Sequence, residues 1–438
     1  MIMERNGFLL QTGVLVCMFS VFVLAAEEPK KQAEIFRLPK DLEKLAGSPD
    51  FLKKPAGLEV AVYTFPNYHP SALHSKLYGP GWTEYNLTRS ARPWFEGHCQ
   101  PRTPLLGELD ESQPSTWDTY IPLCKESGID VLIWDWYWYG GKPCLHEALE
   151  NGFLESPKCR QIKFAVMWTN HPWYILYPTQ RTDGSRAYPP SYDAPDLSRE
   201  ECWRSLSYII SRYCHLDNYW RINGKPVICI WDARRLQERL GVQGVAELFS
   251  ELKAYAVKLG HPGLHFHITG FWSDSMHESG YDTVGSYNPL DWTARRFQPK
   301  EIEFPDYEIA VADVAFKLWD EHHDQFKIPY IPAVSPGWDS TPRYIAPPSR
   351  PNKPNREQWP GCTIFENENP AAFKAFVRAA FVYLNKHPEV PRILTVACFN
   401  EWSEGHYLLP DNRFGYGMID ALAEALGKEN THSKHGKY

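Results

Sequence analysis

Short apolar runs alternate with amphipathic stretches along most of the chain. Each run holds five to seven residues and is bounded by proline, glycine or polar residues, which is typical of a buried parallel strand. Stretches with apolar residues every three or four positions lie between the runs and predict helices. Strands are predicted at 58–63, 130–136, 162–168, 226–231, 265–269, 283–287, 329–334 and 393–399, and helices at 115–127, 198–216, 244–259, 309–326, 370–385 and 415–426.

Eight strands that alternate with helices predict an α/β fold, a (β/α)8 TIM barrel that forms a single catalytic domain. Polar and aromatic residues follow nearly every predicted strand, as expected where the carboxyl ends of the strands form a binding face. A doubly wound open sheet is the alternative. It is disfavoured because neither a G-x-G-x-x-G sequence nor a P-loop follows a predicted strand.

The amino-terminal segment has the pattern of a secretory signal peptide. Arg5 precedes an apolar run at 7–26, and charged residues follow it. Cleavage is predicted after Ala25 or Ala26, and a retained membrane anchor is the alternative. We expect the protein to be periplasmic or extracellular, with no membrane association after removal of the signal. The predicted segments are a signal peptide at 1–26, a linker at 27–57, the barrel domain at 58–427 and a polar tail at 428–438.

Charge and composition narrow the class of partner. The net charge is -7, and no block of Lys or Arg occurs, which argues against nucleic acid and against anionic membrane surfaces. Aromatic residues make up 14% of the chain, a surplus that sugar stacking or a large core would use. His69 and His171 are residue types that bind metals, but no second His or carboxylate lies at ligand spacing, so neither a metal nor another cofactor is predicted.

The segment at 400–406, Asn-Glu-Trp-Ser-Glu-Gly-His, follows the last predicted strand and carries Glu401 and Glu404. Ligands of parallel α/β folds bind at the carboxyl ends of the strands, so carboxylates at this position are candidates for chemistry. A pair of carboxylates on one sugar-sized site is the usual requirement of glycoside hydrolysis. The alternative interpretation is a pair of solvated loop glutamates.

Other polar and aromatic residues near strand ends are candidates for substrate binding. Glu84 and His98 either contact substrate or hold the long first loop together. The aromatic residues that leave the second strand are candidate platforms for sugar rings, and only half of them would face the site because side chains alternate along a strand. The predicted substrate-binding residues are Tyr63, His69, Glu84, His98, Trp136, Trp138, Asn170, Trp173, Trp338, Asp339, Asn400 and Trp402.

Five motifs occur in order along the predicted barrel. They are Tyr63-x-x-Pro66-x-Tyr68-His69-Pro70, Gly81-x-Thr83-Glu84, Phe95-x-Gly97-His98-x-Gln100-Pro101-Arg102, Pro336-Gly337-Trp338-Asp339-x-Thr341-Pro342-Arg343 and Asn400-Glu401-Trp402-x-Glu404-Gly405. With these motifs, residues 60–426 resemble the glycoside hydrolase family 99-like group, which includes the WbsX-like proteins of polysaccharide loci.

The resemblance implies a retaining enzyme active on α-mannans. Glu401 would take the proton of the substrate 2-OH, so that O2 attacks the anomeric carbon and forms an epoxide-like intermediate. Glu404 would be the general acid for departure and the general base for water. Two departures bear on sugar specificity, because a carboxylate of the group's pattern is replaced by His171 in one motif and by Leu409 in another.

The predicted function is therefore that of an exported glycoside hydrolase with a glycan substrate that is α-linked and contains mannose. A WbsX-like glycosyltransferase and a non-catalytic carbohydrate-binding barrel are the alternatives. Hydrolysis is favoured because an exported chain without a nucleotide-binding motif has little access to nucleotide-sugar donors. The oligomeric state stays open.

Overall fold

A computed structural model describes residues 49–172, 195–290, 305–344 and 364–429. The predicted signal peptide, most of the predicted linker and all but the start of the polar tail lie outside these ranges. At the end of the linker, Pro49–Leu52 form a 3-10 turn whose Phe51 is buried in the core. No helix among the described residues is long and apolar enough to cross a membrane.

The strands alternate with helices as predicted. The strands are β1 Glu59–Thr64, β2 Val131–Tyr139, β3 Lys142–Cys144, β4 Lys163–Trp168, β5 Arg221–Ile222, β6 Lys225–Asp232, β7 His265–Phe271, β8 Thr283–Gly285, β9 Tyr330–Ile331, β10 Ala333–Val334, β11 Ile393–Val396, β12 Asn400–Glu401 and β13 His406–Tyr407. The α-helices are α1 Ala72–Tyr78, α2 Tyr85–Ser90, α3 Pro114–Ser127, α4 Arg199–Arg212, α5 Ala233–Lys258, α6 Tyr307–Asp313, α7 Trp319–Gln325, α8 Pro370–Lys386 and α9 Gly417–Ala425.

Nine of these strands are parallel and form a nearly closed barrel, in the order β10, β11, β1, β2, β4, β6, β7, β8, β9. The first and last strands in sequence lie side by side, with Glu59 opposite Ile393. Pro332 separates β9 from β10, and because proline has no N–H to donate to a ladder it divides one strand position into two short pieces. The two pieces count as one position, so the predicted (β/α)8 barrel is confirmed.

Several boundaries differ from the predictions, by up to 11 residues. The last barrel strand ends at Val396 rather than at residue 399, and the chain then enters the short antiparallel pair of β12 and β13. Helix α5 begins 11 residues earlier than predicted, at Ala233, and Gly241 inside it has φ +74°, so two helical segments meet there. The side chain of Asp232 accepts a hydrogen bond from the backbone N–H of Arg235, which caps the first segment.

The core is continuous between the barrel and its helices. All nine residues of β2 are buried, as expected of a strand covered on both faces. Trp134 of this strand points outward and packs on Trp117 of α3, with ring centroids 4.8 Å apart. Cys144 and Cys159 are both free thiols, as are the other cysteines of the described residues.

Candidate active site

A cavity of about 230 Å³ opens at the carboxyl ends of the barrel strands. Its wall is largely aromatic, and its floor carries two acidic residues and an arginine from the last third of the chain. The lining residues are Phe65, Asp135, Tyr137, Thr169, His171, Trp231, Tyr287, Arg343, Glu401 and Glu404. The volume lies below the range of about 300–1,000 Å³ typical of drug-sized ligands, so the described part of the cavity suits one small ring.

A short hairpin positions the two glutamates. Glu401 ends β12 and Glu404 ends the 3-10 turn that follows it, and β12 then pairs with β13. Gly405 closes the turn at φ +69°, where a Cβ atom would lie 2.7 Å from the backbone nitrogen of Asp339. Glycine is required at this position, because other residues rarely adopt this backbone conformation and their Cβ atom would clash with Asp339. The tight turn that it allows brings both carboxylates to the same cavity.

One guanidinium holds three carboxylates at the cavity floor. Nη2 of Arg343 donates to Oε1 of Glu84 at 2.9 Å and to Oε1 of Glu401 at 2.8 Å, and Nη1 donates to Oε1 of Glu404. Nε donates to Oγ of Ser403 at 2.8 Å. Arg343, Glu84, Glu401 and Glu404 are called the Arg343 cluster below. Three acidic groups thus share one positive charge in a largely buried site.

The pKa values of the two cavity glutamates move in opposite directions. Burial raises the pKa of Glu401 well above its ordinary value, and repulsion from Glu404 and Glu84 adds to the rise, against the attraction of Arg343. Burial also acts to raise the pKa of Glu404, but Arg343 and His406 outweigh it and lower that pKa. In the free site, Glu401 therefore takes up a proton more readily than Glu404 does.

Asp135 and His171 add hydrogen-bonding groups to the wall. Burial, followed by repulsion from Glu404, raises the pKa of Asp135, and its Oδ1 is buried without a hydrogen-bond partner among the described residues. Burial lowers the pKa of His171, so its ring is neutral at pH 7. Its Nδ1 donates to the carbonyl of Pro172 at 2.7 Å, which makes Nε2 the acceptor of the neutral ring.

A second charged group lies beneath the hairpin. Oδ2 of Asp339 accepts from Nε2 of Gln100 at 2.7 Å, Nε2 of His98 at 2.9 Å and Nη2 of Arg102 at 3.3 Å. Arg102 also donates to Glu368 at 3.0 Å, and Arg413 pairs with the same carboxylate. Arg102, Arg413, Asp339, Glu368, His98 and Gln100 are called the Arg102 cluster below.

The Arg102 cluster holds the backbone that carries the catalytic candidates. The backbone N–H of Asp339 donates to the carbonyl of Glu404 at 2.7 Å, and Nη1 of Arg102 donates to the carbonyl of Gly405 at 3.1 Å. Asp339 was predicted to bind substrate, and His98 either to bind substrate or to hold the first loop together. The structure places both in this support, and neither is among the residues that line the cavity.

Two predicted asparagines bind backbone rather than cavity. Asn400 accepts from the N–H of Phe65 at 2.8 Å and donates to its carbonyl at 2.7 Å. Asn170 forms the same pair of bonds with Asp232, at 2.8 and 2.9 Å. Each amide joins the ends of neighbouring strands, and neither asparagine is among the residues that line the cavity.

The predicted tryptophan platforms lie on the wrong face of their strand. Trp136 and Trp138 point toward α4, where their indole N–H groups donate to Tyr213 and Glu201. Tyr137, between them, faces the cavity. Side chains alternate along β2, so both tryptophans lie on the face away from the cavity.

The remaining predicted residues also lie outside the cavity lining or outside the described chain. Trp402 packs on Tyr407 at 4.0 Å, and Trp338 lies 4.8 Å from the ring of His406. Tyr63 is buried beneath Tyr287, with ring centroids 4.7 Å apart. His69 is buried with Nε2 3.3 Å from Glu147, and Trp173 falls outside the described residues. Glu84 does not line the cavity, but its carboxylate contacts Arg343 of the cavity floor and Ser403 between the two cavity glutamates.

Sequence reasoning assigned no role to several lining residues. Arg343 is the last residue of one of the five motifs, but the sequence did not predict its contacts with three distant glutamates. Phe65, Thr169, Trp231 and Tyr287 each end or follow a predicted strand. A rule that selected the residue at each strand end would have found them, because the carboxyl ends of all strands converge on one face.

The cavity floor is a poor cation site despite its acidity. Ligand atoms of Glu401, Glu404 and His406 lie within 4.8 Å of one another, as in a metal site. The charge of Arg343 already occupies both glutamates, however, and His406 Nε2 lies 2.8 Å from Glu404. A second cation would have to displace the guanidinium.

Comparison with known proteins identifies relatives of the whole barrel. The sequence profile of the family described as "Glycosyltransferase WbsX" matches residues 60–422. A relative described as "Uncharacterized protein WxcX", from Xanthomonas campestris pv. campestris, is 25% identical over 374 residues, which cover 84% of this chain and 49% of the relative. The chain thus spans about half the length of the curated relatives it matches.

Two solved structures share the fold. A "Glycoside hydrolase-like protein" superposes with a TM-score of 0.52 at 14% identity and covers 85% of this chain and 95% of its own. The GH99 endo-alpha-mannosidase from Bacteroides thetaiotaomicron, in complex with BIS-TRIS-Propane, superposes with a TM-score of 0.50 at 15% identity and covers 84% and 96%. Together with the family match, these structures confirm the resemblance drawn from the five motifs.

Proposed function

The chain belongs to the WbsX family, and from that premise we propose that it is a retaining glycoside hydrolase whose substrate is an α-linked, mannose-containing glycan. Participation of the substrate 2-OH, through an epoxide-like intermediate, is part of the proposal. The observation that carries it is the pair Glu401 and Glu404 on one hairpin at the floor of an aromatic cavity. An acid and a base in one sugar-sized site are what the reaction needs.

The electrostatics of the cavity distinguish the two glutamates. The pKa of Glu401 is raised and that of Glu404 is lowered, and two titratable groups with pKa values pushed apart are typical of acid–base catalysis. The free site has the opposite order to the roles implied by the resemblance, in which Glu401 is the base. Substrate binding would therefore have to separate Glu404 from Arg343 and place the proton on Glu404.

The wall suits a sugar ring. Phe65, Tyr137, Trp231 and Tyr287 offer apolar faces, and Asp135 and His171 offer acceptors for hydroxyl groups. Of the two departures from the group's motifs, only His171 lies on the cavity, since Leu409 is buried in the core. A neutral imidazole in place of a carboxylate changes how this wall recognises hydroxyls. We therefore expect a sugar preference that differs from that of family members with a carboxylate at this position.

The test compares Glu401→Gln with Glu404→Gln on two α-mannosyl substrates, one with a poor leaving group and one, a fluoride, that departs without protonation. If Glu404 is the general acid, Glu404→Gln still releases fluoride in the first turnover while losing the poor substrate, and only the later attack of water is slowed. Glu401→Gln loses both, because the attack of O2 is impaired in each case. Equal losses in both variants on both substrates would contradict these roles, and full activity of either variant would refute the proposal.

A glycosyltransferase is the second candidate, because the matched family carries that description. Incubation with nucleotide-sugar donors and glycan acceptors distinguishes the two activities. Transfer that requires the nucleotide donor, together with no release of sugar from glycans, would favour the transferase. Glycan binding without turnover of any substrate would favour the non-catalytic barrel.

Export is also proposed, on the pattern of residues 1–26 alone. Fractionation of the producing cell and amino-terminal sequencing test it. The mature chain is expected to begin at Ala26 or Glu27. Recovery of the uncleaved chain from the cytoplasm would contradict export without affecting the proposed chemistry.

A further inference from the structure

Two histidines and a glutamate meet at the end of the barrel opposite the cavity. His323 lies on α7, and His387 and Glu389 lie between α8 and β11. Both segments lead into the amino-terminal ends of barrel strands, whereas the cavity opens at the carboxyl ends. The proposed hydrolysis uses none of these three side chains. All three are partly exposed to solvent.

The spacing of the three side chains matches that of ligands around one metal ion. Oε1 of Glu389 lies 3.4 Å from Nε2 of His323 and 3.4 Å from Nδ1 of His387. All three ligand atoms lie within 4.8 Å of one another. A tetrahedral Zn²⁺ with bonds of about 2.0–2.1 Å separates its ligand atoms by roughly 3.3–3.4 Å. Strong N–H···O bonds are shorter, at about 2.7–3.2 Å.

A carboxylate orients one of the two imidazoles. The other ring nitrogen of His387, Nε2, lies 3.1 Å from Oδ1 of Asp320. Oδ2 of Asp320 in turn accepts from Nζ of Lys386 at 2.6 Å. Zinc-bound histidines commonly donate their second nitrogen to a carboxylate in this way, which fixes the tautomer and directs the free lone pair at the metal. Here it directs Nδ1 of His387 toward Glu389.

We propose that His323, His387 and Glu389 bind a divalent transition metal ion, Zn²⁺ by the chemistry of the donors, with water as a fourth ligand. Two imidazoles and one carboxylate are a common ligand set for zinc. The ion would join α7 to the loop before β11, and its role would be to stabilise the closing strands of the barrel. Sequence reasoning found no such site because His323 is distant in sequence from the H-x-E pair at 387–389.

Titration of the untagged full-length chain with Zn²⁺ alone, followed by isothermal calorimetry, tests the site. We expect one high-affinity ion per chain, a rise in the unfolding temperature on binding, and loss of both in His323→Ala and His387→Ala. Asp320→Asn should weaken the affinity about tenfold or more, as loss of such an orienting carboxylate does elsewhere. His215→Ala, which removes an exposed histidine from another surface, is the matched control and should bind as the wild type does.

Two results would overturn the proposal. One is no saturable Zn²⁺ binding by the wild type, and the other is unchanged stoichiometry and affinity in the double variant His323→Ala/His387→Ala. Circular dichroism of each variant separates loss of the site from loss of fold. Cobalt substitution provides an independent readout, because a Co²⁺ ion with this ligand set gives visible absorption that the double variant should lack.

Discussion

The two arginine clusters lie on either side of the same hairpin and differ in charge balance. In the Arg102 cluster, two carboxylates face two guanidiniums, and Oδ2 of Asp339 alone accepts three hydrogen bonds from side chains. In the Arg343 cluster, three carboxylates face one guanidinium. The charges of the Arg102 cluster therefore balance. In the Arg343 cluster, full ionisation is costly, and burial and repulsion raise the pKa of Glu401.

The two clusters therefore have different roles. The Arg102 cluster binds the backbone of Glu404 and Gly405 and so sets where the hairpin lies. The Arg343 cluster presents ionisable side chains to the cavity. Conservative substitutions should therefore affect stability in one cluster and chemistry in the other.

The largest expected effect is kinetic and belongs to the Arg343 cluster. Glu401→Gln keeps the shape of the side chain but cannot exchange a proton, so kcat/KM on the cleaved glycan should fall by about 10²–10⁴-fold. The free energy of unfolding at pH 7 should stay level or rise, since glutamine is neutral without the cost of taking up a proton or burying a charge. Steady-state kinetics and urea unfolding measure the two quantities. Retention of more than half of the activity would contradict a catalytic role of the Arg343 cluster.

The next effect is on stability and belongs to the Arg102 cluster. Asp339→Asn removes the acceptor charge that Arg102 and His98 face, and breaking a buried ion pair costs about 3–5 kcal/mol. Urea unfolding at pH 7 measures the loss. Glu238→Gln, at a largely exposed side chain, is the matched control and should change stability by less than about 0.5 kcal/mol. An unfolding free energy equal to that of the wild type would contradict the supporting role.

The pH dependence of stability should have opposite signs in the two clusters. The pKa of Asp339 is lowered in the folded state by hydrogen bonds and charge from His98 and Arg102, against burial. Its contribution is therefore present above the unfolded pKa of about 3.8 and lost as pH falls further. The pKa of Glu401 is raised, so its contribution is present below about 4.5 and lost as pH rises.

Urea unfolding of the wild type and both variants across pH measures these signs. The advantage of Glu401→Gln over the wild type should grow as pH rises above 4.5, the ordinary value for glutamate. The deficit of Asp339→Asn should shrink as pH falls below 3.8. Parallel profiles for all three proteins would show that neither carboxylate is linked to folding.

The smallest expected effect comes from Glu84, which repels Glu401 from a position outside the cavity lining. Glu84→Gln removes that repulsion, so the pKa of Glu401 should fall. A shift of less than about one unit is expected, because burial is the larger cause. The pH profile of kcat/KM reports it. A change in kcat with no movement of the profile would indicate that Glu84 acts on geometry instead.

The architecture and the catalytic candidates were accessible from sequence because both follow local rules. The period of buried runs predicted every barrel strand, and the carboxylates after residue 399 pointed to the cavity floor. To predict which face of the sheet a side chain lies on, one must also know how the strand is placed in the barrel. Trp136 and Trp138 were assigned to the cavity although Tyr137 occupies it, since alternation tells which residues share a face but not which face is inside.

Long-range partners could not be predicted in the same way. Arg343 contacts Glu84, which is 259 positions away in sequence, and Asp339 contacts His98, which is 241 positions away. No local sequence pattern predicts either contact. Asn400 and Asn170 looked like ligand-binding amides because they follow strands. Their use on the backbone of neighbouring strands depends on which strands are adjacent, which only the closed barrel specifies.

The adjacency of β1 and β11 has a consequence for biosynthesis. Glu59 pairs with Ile393, so the ribosome must translate most of the chain before the first strand meets its neighbour. The hairpin at 400–407 emerges later still, and its hydrogen bonds to the loop after β1 form only then. Contacts of such sequence separation are slow to form and leave the nascent edges of β1 exposed. A polypeptide arrested before residue 393 would thus need chaperone protection and would lack Glu401 and Glu404.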